Sequence, residues 1–192
     1  MASSDSDSDS ESISEEQAIF RAVRAFDVEA LRRCLAAGVD PDVLHANGAS
    51  PLYVLVRFRA AMRPAERIQE RLECISVLLE AGASVDLRHC SPGDTIGRTA
   101  LHRIAHNRSP AYTAVIAALV EAGADVNFTD EHGSSVLASA AGSAPAATVR
   151  LLISAGAVDL DRALEVAIEN GKHRNCSLLL RRRSDTGRNN SK

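Results

Sequence analysis

One phrase recurs along this chain: an apolar pair, two or three further residues, a glycine, and then an extended stretch rich in acids. It stands as CLAAGVDPD at 34–42, LLEAGASVD at 78–86, LVEAGADVN at 119–127 and LLISAGAVD at 151–159. The first three copies lead into a glycine-containing turn that opens a further unit, NGASPLYVL at 47–55, GRTALHRIA at 97–105 and HGSSVLASA at 132–140. Such a period constrains the fold strongly, because repeated supersecondary units stack so that each covers the apolar stripe of its neighbours. Within a unit the order is turn, helix, helix, turn. Ser or Thr, with Pro in one copy, starts the first helix, and the glycine after the second supplies a left-handed cap. A single unit could not bury its own stripe.

The openings SPLYVL (50–55) and TALHRI (99–104), degenerating to SVLASA (135–140), resemble the T-P-L-H-x-A opening of the ankyrin repeat family. The resemblance implies an all-α solenoid of helix-turn-helix units with short β-hairpin fingers. Five units are expected, at about 17–42, 43–86, 87–127, 128–159 and 160–183, with 1–16 and 184–192 as disordered tails. Ala22 to Gly38 and Ala140 to Gly156 each span 16 positions, but Leu55 to Gly82 spans 27 and Ile104 to Gly123 spans 19. Two inter-helix loops are therefore enlarged. The finger interval is 10 between Gly38 and Gly48 and between Gly123 and Gly133, but 15 between Gly82 and Gly97, so the finger at 87–96 is longer. Phe26 stands in the first unit where the family has glycine, which marks that unit as the N-terminal cap. Residues 163–180 keep a helix pair with little finger before it and read as the C-terminal cap.

Charge is segregated even though the chain as a whole carries only −3. Residues 1–16 hold six acids and seven serines and no base, whereas 174–192 hold six bases against the single acid Asp185. No long uncharged apolar window and no basic-then-apolar leader is present, so neither a membrane span nor a secretory signal is expected. Four cysteines, Cys34, Cys74, Cys90 and Cys176, without a C-x-x-C pair, read as reduced thiols of an intracellular protein, cytoplasmic or nuclear. Cys34 and Cys176 fall on apolar helix faces and are expected to be buried, whereas Cys90 on the long finger is expected to be exposed.

Chemistry-bearing patterns are few. His89, Cys90, His102 and His106 lie close enough to raise a zinc site, but a regular fourth ligand is missing, so no metal is expected. There is no nucleophile elbow and no glycine-rich phosphate loop, so no catalytic residue and no cofactor is assigned. Asn127, in LVEAGADVN, is similar to ankyrin asparagines modified by an asparaginyl hydroxylase, or else it braces its turn. Ser4, Ser6, Ser8 and Ser12 each have an acid three residues downstream, the pattern of an acidophilic kinase. Each phosphate would add about −1.5 to −2 charges. Arg181, Arg182 and Arg183 read either as an import or anion-binding patch or as arginines that suit a helix C-terminus.

The resemblance also implies a concave surface made of finger tips and inner-helix ends. The residues expected there as partner contacts are Arg57, Phe58, Arg59, His89, Arg98, Arg103, His106, Asn107, Arg108 and His132. This set is basic with one aromatic, a composition that anchors an acidic or phosphorylated protein segment. Arg63, Arg67 and Arg71 of the enlarged loop add to it. The expected function is a non-catalytic protein-protein interaction module, an adaptor or competitive inhibitor, acting as a monomer without membrane or nucleic acid. The alternatives are a substrate-recognition subunit of a ubiquitin ligase, and a kinase or transcription-factor inhibitor of the cyclin-dependent-kinase-inhibitor or NF-κB-inhibitor type, viral mimics included.

Overall fold

The computed structural model describes residues 15–57, 67–91 and 94–189. Its helices come in five consecutive pairs: α1 (Glu15–Ala25) with α2 (Val28–Ala36), α3 (Pro51–Arg57) with α4 (Ile68–Glu80), α5 (Ala100–Ala105) with α6 (Tyr112–Glu121), α7 (Val136–Ala141) with α8 (Ala146–Ser154), and α9 (Leu160–Glu169) with α10 (His173–Asn189). The inner helices α1, α3, α5, α7 and α9 pack in sequence against one another, and the outer helices α2, α4, α6, α8 and α10 form a parallel row behind them. This is the all-α solenoid that the repeats predict. Residues expected to begin the inner helices do so through their side chains. Ser50 Oγ accepts the Tyr53 amide at 3.2 Å, Thr99 Oγ1 that of His102 at 3.2 Å, and Ser135 Oγ that of Ala138 at 3.0 Å.

Outer helices end on glycines that require a positive φ, +92° at Gly38 and Gly82, +90° at Gly123 and +96° at Gly156. In each case the following amide returns to the helix, as when Ala83 N–H donates to Leu78 O at 2.9 Å. Phe26 adopts φ +54° without being glycine. Its ring is buried, with the Arg71 guanidinium 4.7 Å and the Arg67 guanidinium 5.3 Å from its centroid, and this packing holds a conformation that a side chain otherwise avoids. Among the described residues one finger forms a two-stranded antiparallel hairpin, β1 (His89–Ser91) with β2 (Asp94–Arg98). The next finger is reduced to a bridge between Thr129 and Ser135.

The repeats are clasped to one another by a carboxylate or amide at the end of the first three recurring phrases. Both carboxylate oxygens of Asp42 accept the Ser84 amide at 3.0 Å, and those of Asp86 accept the Asp125 amide at 3.1 and 3.0 Å. Asn127 continues the series: its Oδ1 accepts the Val158 amide at 3.0 Å while its Nδ2 donates to Gly156 O at 3.2 Å. Asn127 therefore braces the next turn with both ends of its amide.

The α10 helix continues to Asn189, past the expected end of the repeat region at 183; Leu179 anchors it in the core, and one turn further on Arg183 ties it to Asp161 of α9 at 3.0 Å. At the other end α1 starts at Glu15, two residues earlier than expected, with Glu15 and Glu16 in its first turn where acids suit the helix dipole. Cys34 and Cys176 are half-buried, not fully buried as expected, because they lie at the margins of the outer row. Cys74 is fully buried, and burial pushes its thiol up to about 11, out of the reactive range.

Burial, reinforced by the Asp125 carboxylate and opposed by the Asp125 amide, raises the Asp86 carboxyl above its ordinary pKa. Its ionised form is thus disfavoured on folding, and a neutral isostere that keeps the clasp should do as well. Asp86→Asn is expected to melt at or above the parent temperature at pH 7, whereas Asp86→Ala loses about 1 kcal/mol; calorimetry of both variants checks this. His102 is 1% exposed, and burial, only partly offset by Asp130 3.9 Å away, lowers its pKa to about 4. Since the unfolded chain takes up this proton near pH 6.5, stability is complete above that pH and is lost as pH falls toward 4, by up to about 3 kcal/mol. His102→Gln should be less stable at pH 7 but show a shallower decline between pH 7 and 4.5, measured by thermal unfolding.

Candidate functional site

The ends of the inner helices meet in a cleft. Carbonyls at the C-terminal ends of α1 and α3 are reached from one outer-helix segment: Arg67 Nη1 donates to Ala25 O at 2.6 Å, and Arg71 Nη1 donates to Leu55 O. At the end of α5, Ser143 Oγ donates to His106 O at 2.7 Å from the turn after α7. Neighbouring inner helices therefore run in the same sense, and their C-terminal ends line up along one edge. Between the ends of α3 and α5 opens a cavity of about 270 Å³ lined by Val56, Arg57, Arg103, His106, Asn107, Arg108, Tyr112 and Ser143.

Its floor is apolar and firm. Val56 and Tyr112 are buried, and the Arg71 guanidinium that lies over Phe26 is also 5.1 Å from the Tyr112 ring centroid. Burial lowers the Arg71 pKa, against an opposing contribution from Tyr112, yet arginine starts so high that it stays charged. The walls are polar. Asn107 Oδ1 accepts the Ser109 amide at 3.0 Å, which turns the chain after α5 and fixes where Arg108 leaves it. Arg103 Nη1 donates to His106 Nε2 at 2.9 Å, and since arginine has only donors, that nitrogen is the acceptor of a neutral imidazole.

Arginine at a helix C-terminus often serves only the helix dipole. Here the carbonyl at the end of α5 is already satisfied by Ser143, and among the described residues neither Arg57 nor Arg108 pairs with a carboxylate or bonds a helix-end carbonyl. Both are exposed. Among the described residues none that lines the cleft is acidic. The arrangement can present several guanidinium groups to an anion, with hydrogen-bond donors arranged for carboxylate or phosphate oxygens.

The structure divides the residues expected to contact a partner. Arg57, Arg103, His106, Asn107 and Arg108 come together in the cleft, whereas Arg98 and His132 sit on fingers, at the opposite ends of the inner helices. Arg98 Nε donates to Asp130 Oδ2 at 3.5 Å, and Asp130 Oδ1 accepts the amides of His132 at 3.1 Å and Ser134 at 2.9 Å, so Asp130 organises that finger from within. His89 does not belong to the exposed surface. It is 6% exposed, stacked on Tyr53 at 4.0 Å, with Nδ1–H donating to Gly48 O at 3.0 Å, and it joins one finger to the preceding one. Arg71 is likewise buried structure and Arg67 a cap for α1, so neither adds charge to the groove in the way the sequence implies. Phe58, Arg59, Arg63, Ser4, Ser6, Ser8 and Ser12, and the side chain of Cys90, lie outside the described residues. Sequence reasoning missed Val56, Tyr112 and Ser143. Tyr112, one of only two tyrosines, is the one of these that a scan for scarce aromatics could have found.

His102 is not a metal ligand in this arrangement: its Nε2 meets Ser139 Oγ at 2.9 Å, joining α5 to α7. Among the described residues no group of three or more His, Cys, Asp or Glu is placed to hold a metal ion, and no helix is long and apolar enough to cross a membrane.

A comparison with curated proteins finds no match. A family model described as ankyrin repeats, in three copies, matches residues 58–163, more than half of the chain. The match spans the middle of the helix-pair stack and contains the cleft residues from Arg103 to Ser143, and with the capped, glycine-ended repeats it shows that the chain belongs to the ankyrin repeat family.

Proposed function

We propose that this chain is a non-catalytic adaptor or competitive inhibitor that grips an acidic or phosphorylated segment of a protein partner in the cleft between the ends of α3 and α5. Ankyrin repeats are generally protein-protein interaction modules, and the stack described above is of that kind. The observation that carries the finer reading is the composition of the cleft's described residues: three arginines, a histidine and an asparagine over a buried tyrosine, with no acid among them. Arg57 and Arg108 supply the long-range attraction. Tyr112, Val56 and the Arg103–His106 pair give the rigid seat that turns attraction into a defined pose. A rigid seat matters because surface charge alone contributes little.

Occupying a partner's acidic segment would block whatever else that segment binds, which is inhibition. If the fingers engage a second protein at the same time, the result is an adaptor. Their tips lie at the other ends of the inner helices, so the two surfaces do not overlap.

The test is titration of the full chain with a short labelled peptide of alternating glutamate and phosphoserine at low salt. Arg57→Glu with Arg108→Glu is expected to weaken binding about tenfold or more while leaving the melting temperature unchanged, since both side chains are exposed. Unchanged affinity would remove the cleft from the account.

A further inference from the structure

The cleft does not stand alone on the concave surface. On α1, Phe20, Arg21 and Arg24 face a second hollow of about 610 Å³ with His45, and again none of the described residues lining it is acidic. Arg24 Nη2 meets His45 Nε2 at 3.2 Å, and the His45 ring meets the buried Phe20 ring edge-on at 5.0 Å. Arg21 and Arg24 are exposed on α1, and Arg57 and Arg103 follow on α3 and α5, the next two helices of the inner row. A line of arginines thus runs along the inner row to the cleft, beginning on the helix that Glu15 opens.

Directly before Glu15 the chain carries Asp5, Asp7, Asp9 and Glu11, interleaved with serines and with no base. We propose that this acidic segment, residues 1–14, is an intramolecular occupant of the basic line and the cleft, competing there with an acidic partner; the inference rests on the cleft's affinity for acidic segments. Geometry permits it. The α1 helix is about 16 Å long and neighbouring helices pack about 8–10 Å apart, so the cleft lies on the order of 25 Å from Glu15. Residues 1–14 reach up to about 46 Å when extended, enough to bring Asp5 and Asp7 to the cleft while Asp9 and Glu11 lie along the arginines on the way. Charge sets the occupant: the segment is purely acidic and the line it would follow purely basic. Tethering raises its effective concentration to the millimolar range, so weak charge pairing is sufficient for competition. Phosphate on Ser4, Ser6 or Ser8 would add about −1.5 to −2 charges each and tighten the closed form.

The experiment uses the full chain and the same glutamate-phosphoserine peptide. A variant with Asp5→Asn, Asp7→Asn, Asp9→Asn and Glu11→Gln should bind the peptide about fivefold tighter than the parent at low salt. That gain should vanish when Arg57→Glu and Arg108→Glu are added, and treating the parent chain with an acidophilic kinase should weaken peptide binding further. Measurable and equal affinity with and without tail charge would overturn the tail proposal and leave the cleft reading standing. Absence of peptide binding in the neutral-tail variant would contradict both. Peptide affinity that falls with protein concentration, accompanied by dimers in sedimentation, would place the segment in a second copy's cleft and overturn the intramolecular form.

Discussion

Every inner helix in this protein is too short to be stable alone, six residues in α5 and α7 and seven in α3, and the stacking of each against its neighbours is what the rest of the structure depends on. Leu52 and Leu55, Leu101 and Ile104, and Val136 and Ala140 are all removed from solvent by helices of the adjoining units. Burial of this kind is worth about 1.5–3 kcal/mol for a large side chain and is the only sizeable favourable term available to so short a helix. The caps at Ser50, Thr99 and Ser135 then fix where each helix begins, and the clasps from Asp42, Asp86 and Asn127 fix the step from one unit to the next. With the units held in this order, the C-terminal ends of the inner helices fall on one edge, and side chains from units far apart in sequence share a surface.

The cleft follows directly from this alignment. Arg57 and Arg103 are 46 positions apart, yet both occupy the last turn of an inner helix and so project toward the same hollow. Beneath them Phe26, Arg71 and Tyr112 connect the first three units, with one guanidinium in contact with both rings. Rigidity under the site and exposure at its rim come from residues of the same type, and the difference is position: Arg71 is spent on structure, while Arg57 and Arg108 remain at the surface.

Much of this was legible from the residues. The repeated glycine phrase gave the helix pairs, the all-α class and the family, because a left-handed cap and an apolar stripe at helical spacing leave few other solutions. Five of the cleft residues were also predictable, since they lie at inner-helix ends that the repeat locates. What could not be read was decided by contacts across units. His89 looks like an exposed finger residue until Tyr53, 36 positions earlier, is found stacked on it. Arg71 looks like one more loop cation until Phe26 and Tyr112 are found against it, and the long finger is in part a hairpin whose His89 packs on the preceding unit. The reach of α10 to Asn189 was hidden because arginine-rich sequence reads equally as helix or as tail.

Hydrogen–deuterium exchange of the full chain, with and without a glutamate-phosphoserine peptide, tests the central claim most directly. The account predicts added protection at the ends of α3 and α5, around Ser143 and at the start of α6 beside Tyr112, with α4, α8 and the rest of α6 unchanged. Protection confined to the outer helices, or to the finger tips around Arg98 and His132, would contradict it.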